Sequence, residues 1–177
     1  MKRKIKTIGR ILLIVVLIFF TLAVFRFAHI QMCFSGLHLE FYDGKHTEAY
    51  MPPLPSDYFT AQNVLKTADE AFSIIQYESD EQKLRSELEK KYGKLAYYCV
   101  MHQEDAVSEK HKINLLTANF KDDSGYMWVM YYHTAYDENG KVTYGSGGED
   151  MYSRIPARWE LEKRDGEWTV VGIIEHP

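Results

Sequence analysis

A chain of 177 residues, 46% of them hydrophobic, is long enough for one domain with its own core plus an appendage. Six of its 21 Lys and Arg lie at or before Arg26 and none of its 25 Asp and Glu do, so the remainder carries 15 positive against 25 negative charges, a net of −10. A body that acidic repels phosphate backbones and excludes nucleic acid as a partner, and two cysteines, Cys33 and Cys99, make no disulfide framework.

The first ten residues, MKRKIKTIGR, are basic, and Ile11 to Phe25 follow without a charge. Fifteen helical residues reach only about 22 Å of a hydrocarbon core of about 30 Å. Including the flanks extends the membrane contact to residues 8–28, with Arg10 and Arg26 at the two interfaces, where long side chains snorkel. The competing reading is a cleaved secretory signal: no A-x-A pattern follows the apolar run, although Cys33-Phe34-Ser35 has small residues at suitable spacing, and Gln31 and Met32 argue against a lipid-modified Cys33. The organisation expected is a basic cytoplasmic tail over 1–10, a transmembrane signal anchor over 11–30, a linker over 31–56 and an extracytoplasmic domain over 57–177. The basic flank sets the N-terminus inside, for a single-pass protein of the cell membrane.

Within the linker, LHLEFYDGKHTEAYM alternates around Asp43-Gly44 and predicts a hairpin over 37–51. MPPLPSD is a stiff connector, after which Ser56 or Asp57 caps a helix with Val64, Leu65, Ala68, Phe72 and Ile75 on one side. A second helix is predicted from Ser79 with Gln82 completing a capping box, the stripe Leu84, Leu88, Tyr92, the pairs Glu81–Arg85 and Glu87–Lys91, and a stop at Gly93. Sheet follows. Strands are predicted over 95–102, 111–120 and 126–136, the last apolar on both faces and hence central, with turns at 121–125 and 137–140 and a loose stretch over 144–156.

The tail IPARWELEKRDGEWTVVGIIEHP is a hairpin about Asp165-Gly166. Uniform alternation sets Lys163 opposite Trp168, Leu161 opposite Val170 and Trp159 opposite Gly172, with Trp159 over the bare glycine. The same alternation turns Glu160, Glu162 and Glu175 outward. Helices followed by a meander ending in this tail resemble the nuclear-transport-factor-2-like (cystatin-like) superfamily, and the tail is similar to that of exported, membrane-anchored Gram-positive members. That resemblance covers about residues 57–177 and implies an α+β fold, helices packed on a curved antiparallel sheet that wraps them into a cone. The single anchor with an outward domain also resembles the layout of assembly subunits in conjugation and type IV secretion machines, which implies a protein partner in a membrane or cell-wall complex. Enzymes of the superfamily use a His–Asp or similar acid–base pair deep in the cone.

His133 is the candidate base, on one strand face with Met127, Val129 and Tyr131, but no orienting carboxylate stands on its own strand. Tyr126, Trp128, Tyr132, Trp159 and Trp168 are the candidate lining of an aromatic pocket, in a chain with 13 Tyr. His102, Glu104, Asp105, Glu109 and His111 match no metal motif, Gly148 stands where a calcium loop needs its closing glutamate, and the glycines at 145–148 lead to acids rather than to a phosphate-binding helix. No metal or cofactor is therefore expected. The expectation is a membrane-anchored binding or assembly module without catalytic activity. The alternatives are a small lyase or isomerase using His133, and a ligand sensor.

Overall fold

A computed structural model describes residues 2–35, 47–78 and 80–175, with side chains from residue 9 onward except that of residue 35. The architecture is α+β, an N-terminal apolar helix followed by helices and a curved, open antiparallel sheet. Helix α1, Lys2–Ser35, runs without a break past the uncharged stretch. Its segment Gly9–Phe34 is the one helix among the described residues long and apolar enough to cross a membrane. The hairpin expected over 37–51 falls mostly outside the described residues, and its last part, Thr47–Tyr50, is a 3-10 turn.

Five strands build the sheet: β1 (Ser108–Lys121), β2 (Ser124–Tyr136), β3 (Val142–Ser146), β4 (Ile155–Arg164) and β5 (Glu167–Glu175). The order is β1-β2-β4-β5, and β3 also pairs β2. Residues Ser124–Tyr131 of β2 pair β4 and His133–Tyr136 pair β3, so β3 and β4 occupy successive lengths of one edge. The stretch expected to be loose is thus partly a strand. β2 is central and buried on both faces, as its continuous apolar run requires.

The tail hairpin turns at Asp165 (φ 51°) and Gly166 (φ 89°), the left-handed pair that a two-residue turn needs. Lys163 faces Trp168 and Leu161 faces Val170 as expected. A bulge then intervenes, so Glu160 faces Gly172, Trp159 faces Ile173 and Ala157 faces Glu175. Trp159 therefore does not lie opposite Gly172. The extra residue, Val171, reverses the alternation of the rest of β5 and turns Glu175 to the inner face.

The inner face packs against α2 (Pro55–Phe72), α3 (Glu81–Tyr92) and the 3-10 turn Gly93–Tyr98. Neither Ser56 nor Asp57 caps α2: Leu54 is at the N-cap and Pro55 opens the helix. Ile75 lies beyond the helix, in an isolated bridge with Val100. The cap of α3 is Asp80, which accepts from the Lys83 amide at 3.0 Å; Ser79 is outside the described residues. Glu81 pairs with Arg85 as expected, whereas Lys91 sits 4.7 Å from the ring of Tyr92. The strand expected over 95–102 is instead the 3-10 turn, and only Val100 bridges. Leu95, Ala96 and Tyr98 all point into the core, which no alternating strand permits.

Gly93 brings that turn against β5. It has φ +59°, and a Cβ there would stand 2.6 Å from both the Val170 carbonyl oxygen and Thr169 Cγ2. Gly93→Ala is expected to cost about 2 kcal/mol in a denaturant titration, from backbone strain and the forced separation of turn and strand. An unchanged midpoint would mean that the turn moves away freely.

The outer face is covered by the end of α1. Ile30, Cys33 and Phe34 are buried with Ala49 against Leu116, Trp128 and Met130, and Phe34 meets Trp128 edge-on at 5.5 Å. Each such apolar side chain contributes roughly 2 kcal/mol by leaving water. Arg26 reaches the same junction, where its guanidinium donates to the carbonyls of Ala49, Tyr50, Met51 and Leu116. Leu116 is the residue skipped by the β1–β2 register between Leu115 and Thr117, which leaves its carbonyl free for this use.

Candidate functional site

The register of β1 and β2 sets His111 directly opposite His133, with Glu109 two residues before His111 on the same face. The last turns of α2 bring Asp69 and Phe72 over this end of the sheet. His111 Nε2 lies 2.8 Å from Asp69 Oδ1, and its Nδ1 lies 2.8 Å from Glu109 Oε2. Only an imidazole carrying both protons donates to both carboxylates. The sequence reading found no carboxylate for His133, yet one arrives from the neighbouring strand: Glu109 Oε2 is 3.8 Å from His133 Nε2. That is too long for a hydrogen bond.

His133 itself is fully buried, and neither ring nitrogen makes a hydrogen bond of normal geometry. It is packed among the rings of Phe72 (5.1 Å), Tyr144 (5.6 Å) and His111 (6.0 Å). Burial first, and the neighbouring His111 second, push its pKa from 6.5 down to about 4, against a weaker pull from the Phe72 backbone. At neutral pH it is an uncharged imidazole. Asp69 at the outer end is exposed, so the four groups run from solvent to core.

A second cluster gathers phenols around Glu175. Tyr131 donates to Glu175 Oε1 at 2.5 Å. Burial raises the pKa of Tyr131 and Tyr98, and the Glu175 carboxylate adds to both. At Tyr97 the same carboxylate is the largest cause of a raised pKa. A groove of about 410 Å³ opens beside this carboxylate, lined by Lys94, Tyr97, Ile173 and the bulged Val171-Gly172 backbone of β5. Tyr131→Phe is expected to cost about 2 kcal/mol, the scale of a hydrogen bond to a charged group. A thermal melt unchanged by the substitution would refute that.

The five aromatic candidates are divided between the two faces of the sheet. Trp159 is fully buried on the inner face, its Nε1 donating to the Tyr98 hydroxyl at 2.9 Å. Tyr98 stacks on Phe72 at 4.3 Å and meets Tyr131 at 5.0 Å, so rings fill the space between α2 and the sheet. Trp168 packs on Phe120 at 4.7 Å, nearer the hairpin end of that face. Trp128, Tyr126 and Tyr132 are on the outer face. There Trp128 Nε1 donates to Glu48, Arg158 lies over Tyr126 and Arg154 lies over Tyr132.

Of the polar residues weighed for a metal, His102 pairs with Glu81 at 2.8 Å, while Glu104 and Asp105 border a separate groove with Asp137. Among the described residues no three His, Cys, Asp or Glu are placed to hold a metal ion. Cys99 is buried, and burial raises its thiol to about 11. The residues missed from sequence are Asp69 and Tyr98, which folding brings in from 42 and 61 positions away, and Glu175, which the bulge turns inward. Read as a uniform ladder, the two strands and their two-residue turn set His111 opposite Thr134; the bulge at Leu116 shifts the register by one and brings His111 opposite His133.

No family model matches the chain, and no curated protein matches it. Among solved structures it is similar to the association domain of C. elegans CaMKII, at 12% identity over 70% of this chain and 100% of that domain, with a TM-score of 0.35.

Proposed function

We propose that this chain is a membrane-anchored, non-catalytic binding or assembly module whose α+β domain, a cone of the nuclear-transport-factor-2-like kind, stands outside the cytoplasm. The observation that carries this reading is α1. Its apolar length is exposed from Ile11 to Phe25, and the same helix ends buried on the sheet at Ile30, Cys33 and Phe34. A helix that is apolar all round in water needs lipid to cover it. The basic residues before Ile11 orient it with the N-terminus inside. A non-catalytic role is supported by His133, which is buried among rings and has no surface to offer a substrate.

The test is in-cell crosslinking of residues 1–177 with identification of what co-purifies, paired with protease treatment of intact cells. Reproducible recovery of a membrane or wall-assembly protein, and cleavage of the domain from outside, are expected. Recovery of the chain alone, or protection of the domain from outside, would sink the reading. A second reading, the lyase or isomerase with His133 as base, draws on Glu109 at 3.8 Å. It requires His133→Gln to abolish a turnover that the folded wild type possesses.

A further inference from the structure

Beside α1 the chain holds a second apolar surface, and the two are continuous. A groove of about 460 Å³ lies between Phe19, Leu22, Ala23 and Phe27 of α1 and the segment Tyr50–Pro52. The rings of Phe27 and Tyr50 are 5.2 Å apart across it. Beyond it Met51, Leu54, Tyr58 and Phe59 are 67%, 63%, 47% and 70% exposed. Over residues 51–61 the sequence MPPLPSDYFTA carries one charge, Asp57, and that side chain is buried. The surface this segment presents is therefore uncharged and rich in large apolar groups, in a body that is otherwise strongly acidic.

Part of its backbone is also matched to an apolar phase, where an unpaired N–H or C=O is costly. Pro52, Pro53 and Pro55 have no N–H to satisfy. The Met51 amide donates to the Glu48 carbonyl, and the Tyr58 amide donates to that of Leu54. The carbonyls of Ala49, Tyr50 and Met51 all accept from Arg26. From Phe19 to Arg26 the helix rises roughly 10 Å. If α1 spans the bilayer with Arg26 at its outer boundary, Tyr50–Pro52 lies beside the part of α1 that is within the outer leaflet.

We infer that Tyr50–Phe59 is a second membrane-contacting element: it inserts Met51, Leu54, Tyr58 and Phe59 into the outer leaflet beside α1 and holds the domain against the lipid surface. The inference rests on the spanning role proposed for α1. It differs from a flexible tether, which would let the domain stand away from the membrane.

The test uses residues 1–177 reconstituted in phosphatidylcholine vesicles, part of whose lipid carries a nitroxide high on the acyl chain. Single variants Leu54→Cys and Phe59→Cys are labelled with an environment-sensitive fluorophore, with Phe20→Cys as the site inside the span and Val142→Cys as an exposed site on β3. All four positions are exposed, which keeps the substitutions mild. The expected result is blue-shifted emission at 54 and 59, quenched by the nitroxide to the extent seen at 20, with emission at 142 unquenched. Quenching at 20 with water-like emission at 54 and 59 overturns the inference and leaves the span standing. Blue-shifted but unquenched emission at 54 and 59 also overturns it, because a second copy of the chain would then be the cover. No quenching at 20 removes the span, and the inference falls with it.

Discussion

Replacing Arg26 by alanine is expected to detach the Thr47–Tyr50 turn from α1 and lower stability by about 4 kcal/mol. The guanidinium donates from Nε to the Tyr50 carbonyl at 2.8 Å and from Nη2 to those of Ala49, Met51 and Leu116 at 2.9–3.0 Å. Removing it strands four acceptors, some of them shielded from water by Phe27 and the end of the helix. The Leu116 carbonyl loses most, because the β-bulge leaves it no ladder partner in that register step. Arg26→Lys should recover only part of the loss, since one ammonium cannot fan out to donors so spread. Thermal unfolding in detergent micelles, with hydrogen exchange followed over residues 47–51, reads both effects. Equal melting and equal exchange in Arg26→Ala would show that the four contacts contribute nothing.

Acidification is expected to destabilise the domain through His133, by about 3 kcal/mol when fully developed. The group binds its proton near pH 6.5 when unfolded and only near pH 4 when folded. Between those values the unfolded chain carries more protons than the native one, so stability rises with pH across that window. The contribution is complete above pH 6.5 and is lost progressively as pH falls toward 4. At about 1.4 kcal/mol per unit, the interval corresponds to roughly 3 kcal/mol. The groups facing His133 are His111 and Glu109 from β1, Asp69 beyond them on α2, and Tyr144 on β3. The informative quantity is the difference between wild type and His133→Leu, which cancels every group common to both. Urea unfolding above pH 6.5 and near pH 4 should show a steeper loss in wild type. Parallel curves for the two proteins would dismiss His133 as the source.

Elements set by local pattern were legible in the sequence. The uncharged run gave α1, the stripe Leu84, Leu88, Tyr92 gave α3, and the doubly apolar run at 126–136 gave the central strand. What escaped was whatever depends on one residue of register or on contacts between distant segments. The bulge at Val171 carries no marker except the glycine after it, yet it decides on which face Glu175 lies. Residues 95–102 are rich in strand-forming types, but Gly93 bends the chain and the burial of Leu95, Ala96 and Tyr98, which no alternating strand provides, overrides propensity. In the candidate site, His133 was found from its type and its strand. Asp69 could not be, since only the packing of α2 on β1 brings it near.

The burial of Ile30, Cys33 and Phe34 beneath the sheet makes the end of the long apolar helix part of the domain's own core. Cleavage after Ser35 would remove Ile30, Cys33 and Phe34 together and leave Trp128, Met130 and Leu116 facing water. The last turns of α1 are thus both the end of an apolar helix and a structural plug. Any soluble version of the domain must carry them, or must replace them with another apolar helix of its own.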